Sequence, residues 1–322
     1  MERLLARDRD AVSEALNRID DARPGQREKA LELLGALERA ARFPGPPRVG
    51  VTGAPGAGKS SLLDAIVRTL RASGETLGIV AVDPSSRRTG GALLGDRIRV
   101  RSGASDPGVF FRSMAARERL GGVADATRPG VTVLAAAFDW VFVETVGVGQ
   151  SETDVATLVD TLVYVAQPGA GDLLQFMKAG ILEVPDVFVV NKADLGAAAA
   201  RTAGELAAGL GLGSRDTASG WTPPILLVSA RDGTGISELV EALRAHRRQL
   251  ESSGTLEARR ARGKEVFVQE TLERRYGSYG TALLSGSAGI ACRVREARDA
   301  SAFALVLALG REIEDALRKP LP

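Results

Sequence analysis

Eight consecutive residues, Gly53-Ala54-Pro55-Gly56-Ala57-Gly58-Lys59-Ser60, have the types and spacing needed to hold phosphate. They match G-x-x-x-x-G-K-[ST] at every fixed position. They lie between the apolar run Val49-Gly50-Val51-Thr52 and the helix-forming Ser61-Leu62-Leu63-Asp64-Ala65-Ile66-Val67. Glycines let backbone N–H groups turn inward around an anion, and the helix that opens there adds partial positive charge. Lys59 is expected to reach the β- and γ-phosphates of a nucleotide. The Ser60 hydroxyl is expected to ligate Mg²⁺, and Gly53 through Ser61 to line the phosphates. A glycine-rich turn before a helix is the structural alternative, and it would not require all four fixed positions with both flanks in place.

The base is addressed further along. Asn191-Lys192-Ala193-Asp194 follows the apolar run Val187-Phe188-Val189-Val190. N-K-x-D after a strand resembles the guanine-recognition motif of G proteins. The Asp194 carboxylate can accept hydrogen bonds from the ring N–H and the exocyclic amine of guanine. Adenine offers no such donor pair on that edge, so a polar group would go unpaired. Asn191 is expected to tie this loop to the phosphate loop, and Lys192 to lie along the base. Alone, the four residues could instead cap a helix. Val228-Ser229-Ala230 resembles a further G-protein motif, whose backbone N–H contacts the guanine carbonyl, which brings Ser229 and Ala230 to the base.

Where ordinary G proteins carry D-x-x-G, this chain has Glu144-Thr145-Val146-Gly147 after Val141-Phe142-Val143. The carboxylate is kept but is one methylene longer, and Gly147 is expected to offer its N–H to the γ-phosphate. The next residue, where Ras-like proteins hold a water-orienting Gln, is Val148. Valine cannot position water, so intrinsic hydrolysis is expected to be slow. Gln150, two residues on, is a candidate substitute. Asp83 and Asp96 are candidate carboxylates beside the cation. Read from spacing alone, they are equally a turn aspartate and a solvated one.

Those residues must be held by a scaffold, and the chain supplies one. From Arg48 to about residue 249, short β-rich runs at 49–52, 77–82, 140–145, 161–166, 187–190 and 225–229 alternate with helical stretches. That pattern predicts an α/β fold, a P-loop NTPase domain with a mostly parallel central sheet covered on both faces. Residues 1–42 read as two helices, and Phe43-Pro44-Gly45-Pro46-Pro47 as a boundary. Beyond residue 252 the strand signals stop. Residues 256–275 and 303–318 read as helices joined by a Gly/Ser-rich piece. The expected division is an N-terminal helical extension over 1–45, the nucleotide domain over 46–252 and a helical region over 253–322.

Of 322 residues, 44% are hydrophobic and 25% charged, as in an ordinary globular protein. The 42 basic and 40 acidic residues leave a net charge of +2, which gives no electrostatic case for nucleic acid or an anionic membrane. No run approaches the length of a membrane span. One cysteine excludes an internal disulfide and fits a reducing, cytoplasmic setting. The charged amino-terminal run predicts no signal peptide. Cys292 reads as a small core residue, His246 as a solvated residue on a charged helix, and Trp140 and Trp221 as packing residues.

Taken together, VGVTGAPGAGKSSL, VAVDPSS, TGGALLGDRIRV, FVETVGVGQSE, GDLLQFMKAGI and NKAD resemble the MeaB/ArgK family. These are P-loop GTPases associated with methylmalonyl-CoA mutase. The likeness spans about residues 45–250. It implies that Asp83, Asp96 and Glu144 are carboxylates of the magnesium site, directly or through water. It implies switch segments over 83–101 and 144–154, and a further mobile segment over 167–178. Lys178 in the last would couple the nucleotide to the partner, although by its own pattern it reads equally as a solvated lysine. The family implies a homodimer formed through the C-terminal helices. It also implies a GTP/GDP cycle that gates adenosylcobalamin loading and protects or reactivates an acyl-CoA mutase. Three other readings compete. A nickel metallochaperone GTPase would need Cys/His clusters, and this chain has one of each, far apart. The transport-linked kinase role behind the ArgK name would need an acceptor site and its base. A translation or targeting GTPase would need a basic face.

Overall fold

Apolar runs buried on both sides build the middle of the chain into one parallel sheet. The computed structural model describes residues 1–322 except 22, 24, 42–43, 85–105, 117–123, 146–154, 170–182, 213–219 and 319–322, and except the side chains of 83–84, 115–116 and 124–126. Among the described residues the strands are β1 (Arg48–Thr52), β2 (Leu77–Pro84), β3 (Val109–Ala116), β4 (Trp140–Thr145), β5 (Thr161–Ala166), β6 (Val187–Val190) and β7 (Ile225–Leu227). They are ordered β3-β2-β4-β1-β5-β6-β7, and every neighbouring pair is parallel. Every residue of β4, β5 and β6 is buried, as a sheet covered on both faces requires. β3 is absent from the sequence reading. Its signal was the Asp106-Pro107-Gly108 turn ahead of Val109-Phe110-Phe111.

One face of the sheet is covered by α4 (Lys59–Ala72) and α7 (Ile236–Ser252), whose Leu62, Leu63, Ile66, Leu239 and Leu243 share a core with Val49, Val51, Ile79 and Phe142. On the other face, α5 (Ala124–Ala137) packs on Val80, Val141 and Val143. The helix α6 (Ala197–Leu212) closes the β5–β7 end over Tyr164, Phe188 and Val190. The chain begins with a short α1 (Glu2–Leu5), then α2 (Arg9–Asp20) and α3 (Gln26–Ala40). It continues past the sheet with α8 (Thr255–Ala282), α9 (Gly286–Glu296) and α10 (Ala302–Arg318). Leu16, Leu34, Phe267, Val294 and Phe303 belong to the cluster that contains α5, so the first and last helices share one apolar layer. The Gly/Ser-rich piece expected to be a connector instead opens α9. Gly277, at φ +69°, kinks α8 with a conformation glycine adopts freely.

Two expectations about single residues fail here. Cys292 is exposed and its thiol donates to Glu296 (3.4 Å), because Ile290, Ala291 and Val294 take the buried face of α9. His246 is only 2% exposed rather than solvated. Its Nδ1 lies 2.9 Å from the Thr161 hydroxyl, its Nε2 lies 3.5 Å from an Asp186 oxygen, and its ring centroid is 4.7 Å from that of Trp221. His246 and Arg247 of α7 point at the amino ends of the strands, where Asp186 and Asp160 sit, while Glu241 and Arg248 of the same helix face water.

Burial holds His246 below its ordinary value of 6.5, and the nearby Asp186 carboxylate only partly opposes that shift. The unfolded chain therefore takes up this proton at a higher pH than the folded chain does. Stability is complete above about pH 6.5 and falls as pH drops below it, by at most about 1.4 kcal/mol per pH unit. His246 is the chain's single histidine. Urea unfolding between pH 7 and 5 should show this slope, and His246→Gln should flatten it. An equal slope in the variant would assign the effect to other groups.

Candidate functional site

The residues singled out for phosphate sit where β1 ends. Gly53, Gly56 and Gly58 have φ of +140°, +80° and +87°, a region that other residues rarely enter. Two of the glycines are also needed for space. A Cβ at Gly53 would run into the Val165 carbonyl, and one at Gly58 into the Asn191 amide nitrogen. Pro55 and Gly56 are exposed at the tip, while Gly53, Ala54 and Ala57 are buried. Lys59 opens α4 and is 7% exposed. Its ammonium donates to the carbonyls of Gly53 (2.7 Å) and Ala54 (3.1 Å), which holds it across the loop. Ser61 follows on the exposed side of α4.

The Ser60 hydroxyl donates to Glu144 Oε1 at 2.5 Å. The adjacent strands set up this meeting, because the parallel register pairs Val51 of β1 with Glu144 of β4. Glu144 is 4% exposed. A hydroxyl and a carboxylate oxygen at a helix start are the hard donors that magnesium takes, so this pair fits the ion. The longer glutamate reaches Ser60, so the extra methylene does not separate the two groups.

Asn191 links three loops. Its side-chain amide donates to the carbonyls of Ala57 (2.9 Å) and Gly58 (3.3 Å), and its carbonyl accepts from the Ala230 N–H (3.2 Å). It is 2% exposed and sits just after β6. The tie from Asn191 to the phosphate loop is thus a direct contact. Ala230's N–H, expected for the guanine carbonyl, goes to Asn191. Lys192, at φ +60°, donates to the Gly56 carbonyl and to Gln167 Oε1, both at 2.9 Å. Asp194 has Oδ1 fixed by the Ser229 hydroxyl (3.0 Å) and Oδ2 3.7 Å from Arg231. Sequence reasoning missed both Arg231 and the Gln167–Lys192 contact. Arg231 directly follows the Val228-Ser229-Ala230 motif, and that position was the available signal.

Loops at the carboxyl ends of β1, β4, β5, β6 and β7 therefore converge, the usual place for a ligand in an open parallel sheet. The side chain of Asp83 and the whole of Asp96, Gly147, Gln150 and Lys178 lie outside the described residues. The expected switch segments 83–101 and 144–154 and the mobile segment 167–178 fall largely there too. No helix among the described residues is long and apolar enough to cross a membrane.

Comparison with known proteins bears on the same residues. Residues 12–278 match the family described as methylmalonyl Co-A mutase-associated GTPase MeaB. A relative in Pyrococcus abyssi with a provisional GTPase name is 48% identical over 223 residues, covering 69% of this chain and 68% of its own. The mouse protein named methylmalonic aciduria type A homolog, mitochondrial, is 35% identical over 276 residues, covering 82% of this chain and 66% of its own. A crystal structure described as a LAO/AO transport system kinase superposes with a TM-score of 0.71 at 25% identity, over 99% of this chain and 96% of that one.

Proposed function

Because the chain belongs to the MeaB family of methylmalonyl-CoA mutase-associated GTPases and is itself a GTPase, we propose that its GTP cycle gates adenosylcobalamin loading into an acyl-CoA mutase and protects or reactivates that partner. The observation that most supports a working guanine-nucleotide switch is the Asn191 bridge between the phosphate loop and the Ser229–Ala230 loop. It makes phosphate binding and base binding one structural unit.

In this reading the triphosphate lies in the Gly53–Ser61 loop. Lys59 and the loop amides stabilise charge developing on the transferred phosphoryl group. Ser60 and Glu144, with Asp83 and Asp96 as further carboxylates, would hold magnesium, which neutralises phosphate charge when bound. An in-line water attacks the γ-phosphorus, and Gln150 is the proposed group to orient it. Loss of the γ-phosphate releases Gly147, and Lys178 passes the change to the mutase. Slow intrinsic turnover, a homodimer built through 253–322 and a cytoplasmic setting complete the proposal. A nickel chaperone would need a Cys/His cluster, and this chain has one cysteine, Cys292, and one histidine, His246, far apart in sequence.

The test is GTP and ATP hydrolysis by the purified chain, with and without an adenosylcobalamin-dependent mutase from the same source. GTP-selective turnover that rises with the mutase is expected. Turnover indifferent to the mutase would remove the partner. Preference for ATP would remove the role given to Asp194.

That role has its own check. Asp194→Asn keeps one acceptor but turns an N–H₂ toward the exocyclic amine of guanine, a donor facing a donor. Losing one charge-assisted bond, about 1.5–3 kcal/mol, should weaken GTP roughly ten- to a hundredfold. Xanthosine triphosphate carries a carbonyl at that position and should bind the variant better than GTP does. Equal affinity of the variant for both would refute the assignment.

A further inference from the structure

At the amino end of β1, opposite the phosphate loop, lies a cavity of about 700 Å³ between α3, α8 and the α9–α10 turn. Its lining holds eight basic side chains against four acidic ones. Part of this charge is already used. Arg260 is paired with Asp160 (2.6 Å), and Arg295 lies 4.0 Å from Glu265. Arg48 and Arg128 differ. Neither has an ion-pair partner among the described residues, and the Nε of each is shielded from solvent with no acceptor there. Arg128 is 7% exposed; it donates to the Thr157 carbonyl (3.1 Å), and its guanidinium lies over the Phe267 ring.

The electrostatics of the cavity agree with the geometry. Burial, and then the neighbouring Arg260, push Arg48 down to about 10. Burial pushes Arg128 to about 10 as well, against the opposing pull of Glu38 and Glu270. Both remain cationic at pH 7, and the charges of Arg128 and Arg260 both act on Arg48. Burial also lowers Lys264, although Glu38 and Asp299 oppose this. Glu38 is the acid common to these groups, and it also accepts the Ala302 N–H at the start of α10 (2.9 Å). Asp160 also acts on Arg48, but Arg247 and Arg260 already engage its oxygens, so the acids near Arg48 and Arg128 are shared among several cations, and a buried cation without its own counter-charge is unfavourable.

We propose that this cavity binds a small organic phosphate bearing two or more phosphate groups, at a site separate from the nucleotide site. The charge selects a polyanion. The volume is that of a small-molecule pocket and far exceeds one inorganic phosphate. Arginine forks suit phosphate oxygens. The site is not the phosphate loop, because Arg48 and Thr52 stand at opposite ends of β1, about 13 Å apart at strand rise.

The experiment is calorimetric titration of fructose 1,6-bisphosphate into the full chain saturated with GDP and Mg²⁺, so that the phosphate loop is filled. One saturable site per chain is expected, with Kd below about 1 mM at low salt and weakening as salt rises. Arg48→Gln should weaken it at least tenfold. Arg298→Ala removes an exposed lining charge and should fold normally, and it should weaken binding severalfold. Absence of saturable heat, or equal affinity in the Arg298 variant, would overturn the site. So would binding seen only when GDP is withheld. Saturation by hexaglutamate but not by the bisphosphate would overturn it in favour of an acidic protein segment.

Discussion

Lys59→Ala is expected to lower single-turnover GTP hydrolysis by roughly 10²–10³-fold, the usual consequence of removing one preorganised charge donor from a transition state. Lys59 sits at the centre of the loop, 7% exposed, with its ammonium fixed by the Gly53 and Ala54 carbonyls. A group held in place before reaction need not be ordered during it, and so contributes nearly its full electrostatic effect. The loop itself should survive the change. Asn191 still binds the Ala57 and Gly58 carbonyls, and Lys192 still binds that of Gly56. The rate should therefore fall without a comparable fall in thermal stability. Lys59→Arg should not restore it, because the planar guanidinium is too large for the space between two backbone carbonyls. A variant that hydrolyses GTP within tenfold of the parent would move the main charge stabilisation elsewhere.

The site was legible in sequence to the extent that chemistry fixes residue type. Gly53 and Gly58 are recognisable because nothing larger fits against Val165 and Asn191. Asn191 is recognisable because only a side chain with both a donor and an acceptor can join the two loops. The alternation of apolar runs with helices likewise foretold a parallel sheet, since strands buried on both faces have no polar positions to spare. What stayed hidden depends on partners far apart in the chain. Periodicity can say that His246 lies on a charged helical face, but not that this face meets Asp186, 60 residues earlier in the sequence. The polar pattern of α7 was read as solvation. Two of its residues, His246 and Arg247, instead face the buried carboxylates Asp186 and Asp160, and a sequence pattern does not separate the two uses.

Asp160→Ala follows from that hidden cluster and is expected to destabilise the chain by about 3–5 kcal/mol, the effect of leaving buried charges without their partner. Asp160 is 1% exposed and directly precedes β5. It accepts from the Arg48 N–H (3.0 Å), from Arg247 (2.8 Å) and from two nitrogens of Arg260 (2.8 and 2.6 Å). Burial alone would raise its pKa. The Arg260 hydrogen bond and the charges of Arg260, Arg48 and Arg247 outweigh burial and hold it below the ordinary carboxylate value of 3.8. The unfolded chain therefore gains this proton first as pH falls. The stabilisation is present in full above about pH 4 and is lost as pH falls through the lower, folded value. Asp160→Asn keeps the acceptor oxygen and should lose less than alanine does. Urea midpoints at pH 7 for the parent and both variants decide the matter. Because Arg260 belongs to α8 and Arg247 to α7, the carboxylate clamps the C-terminal helices to the amino end of the sheet. Loss of stability should appear with increased hydrogen exchange in α8, while GTP binding at the opposite end of β1 persists. Alanine and asparagine variants both within 1 kcal/mol of the parent would mean that the arginines find water as good a partner as Asp160.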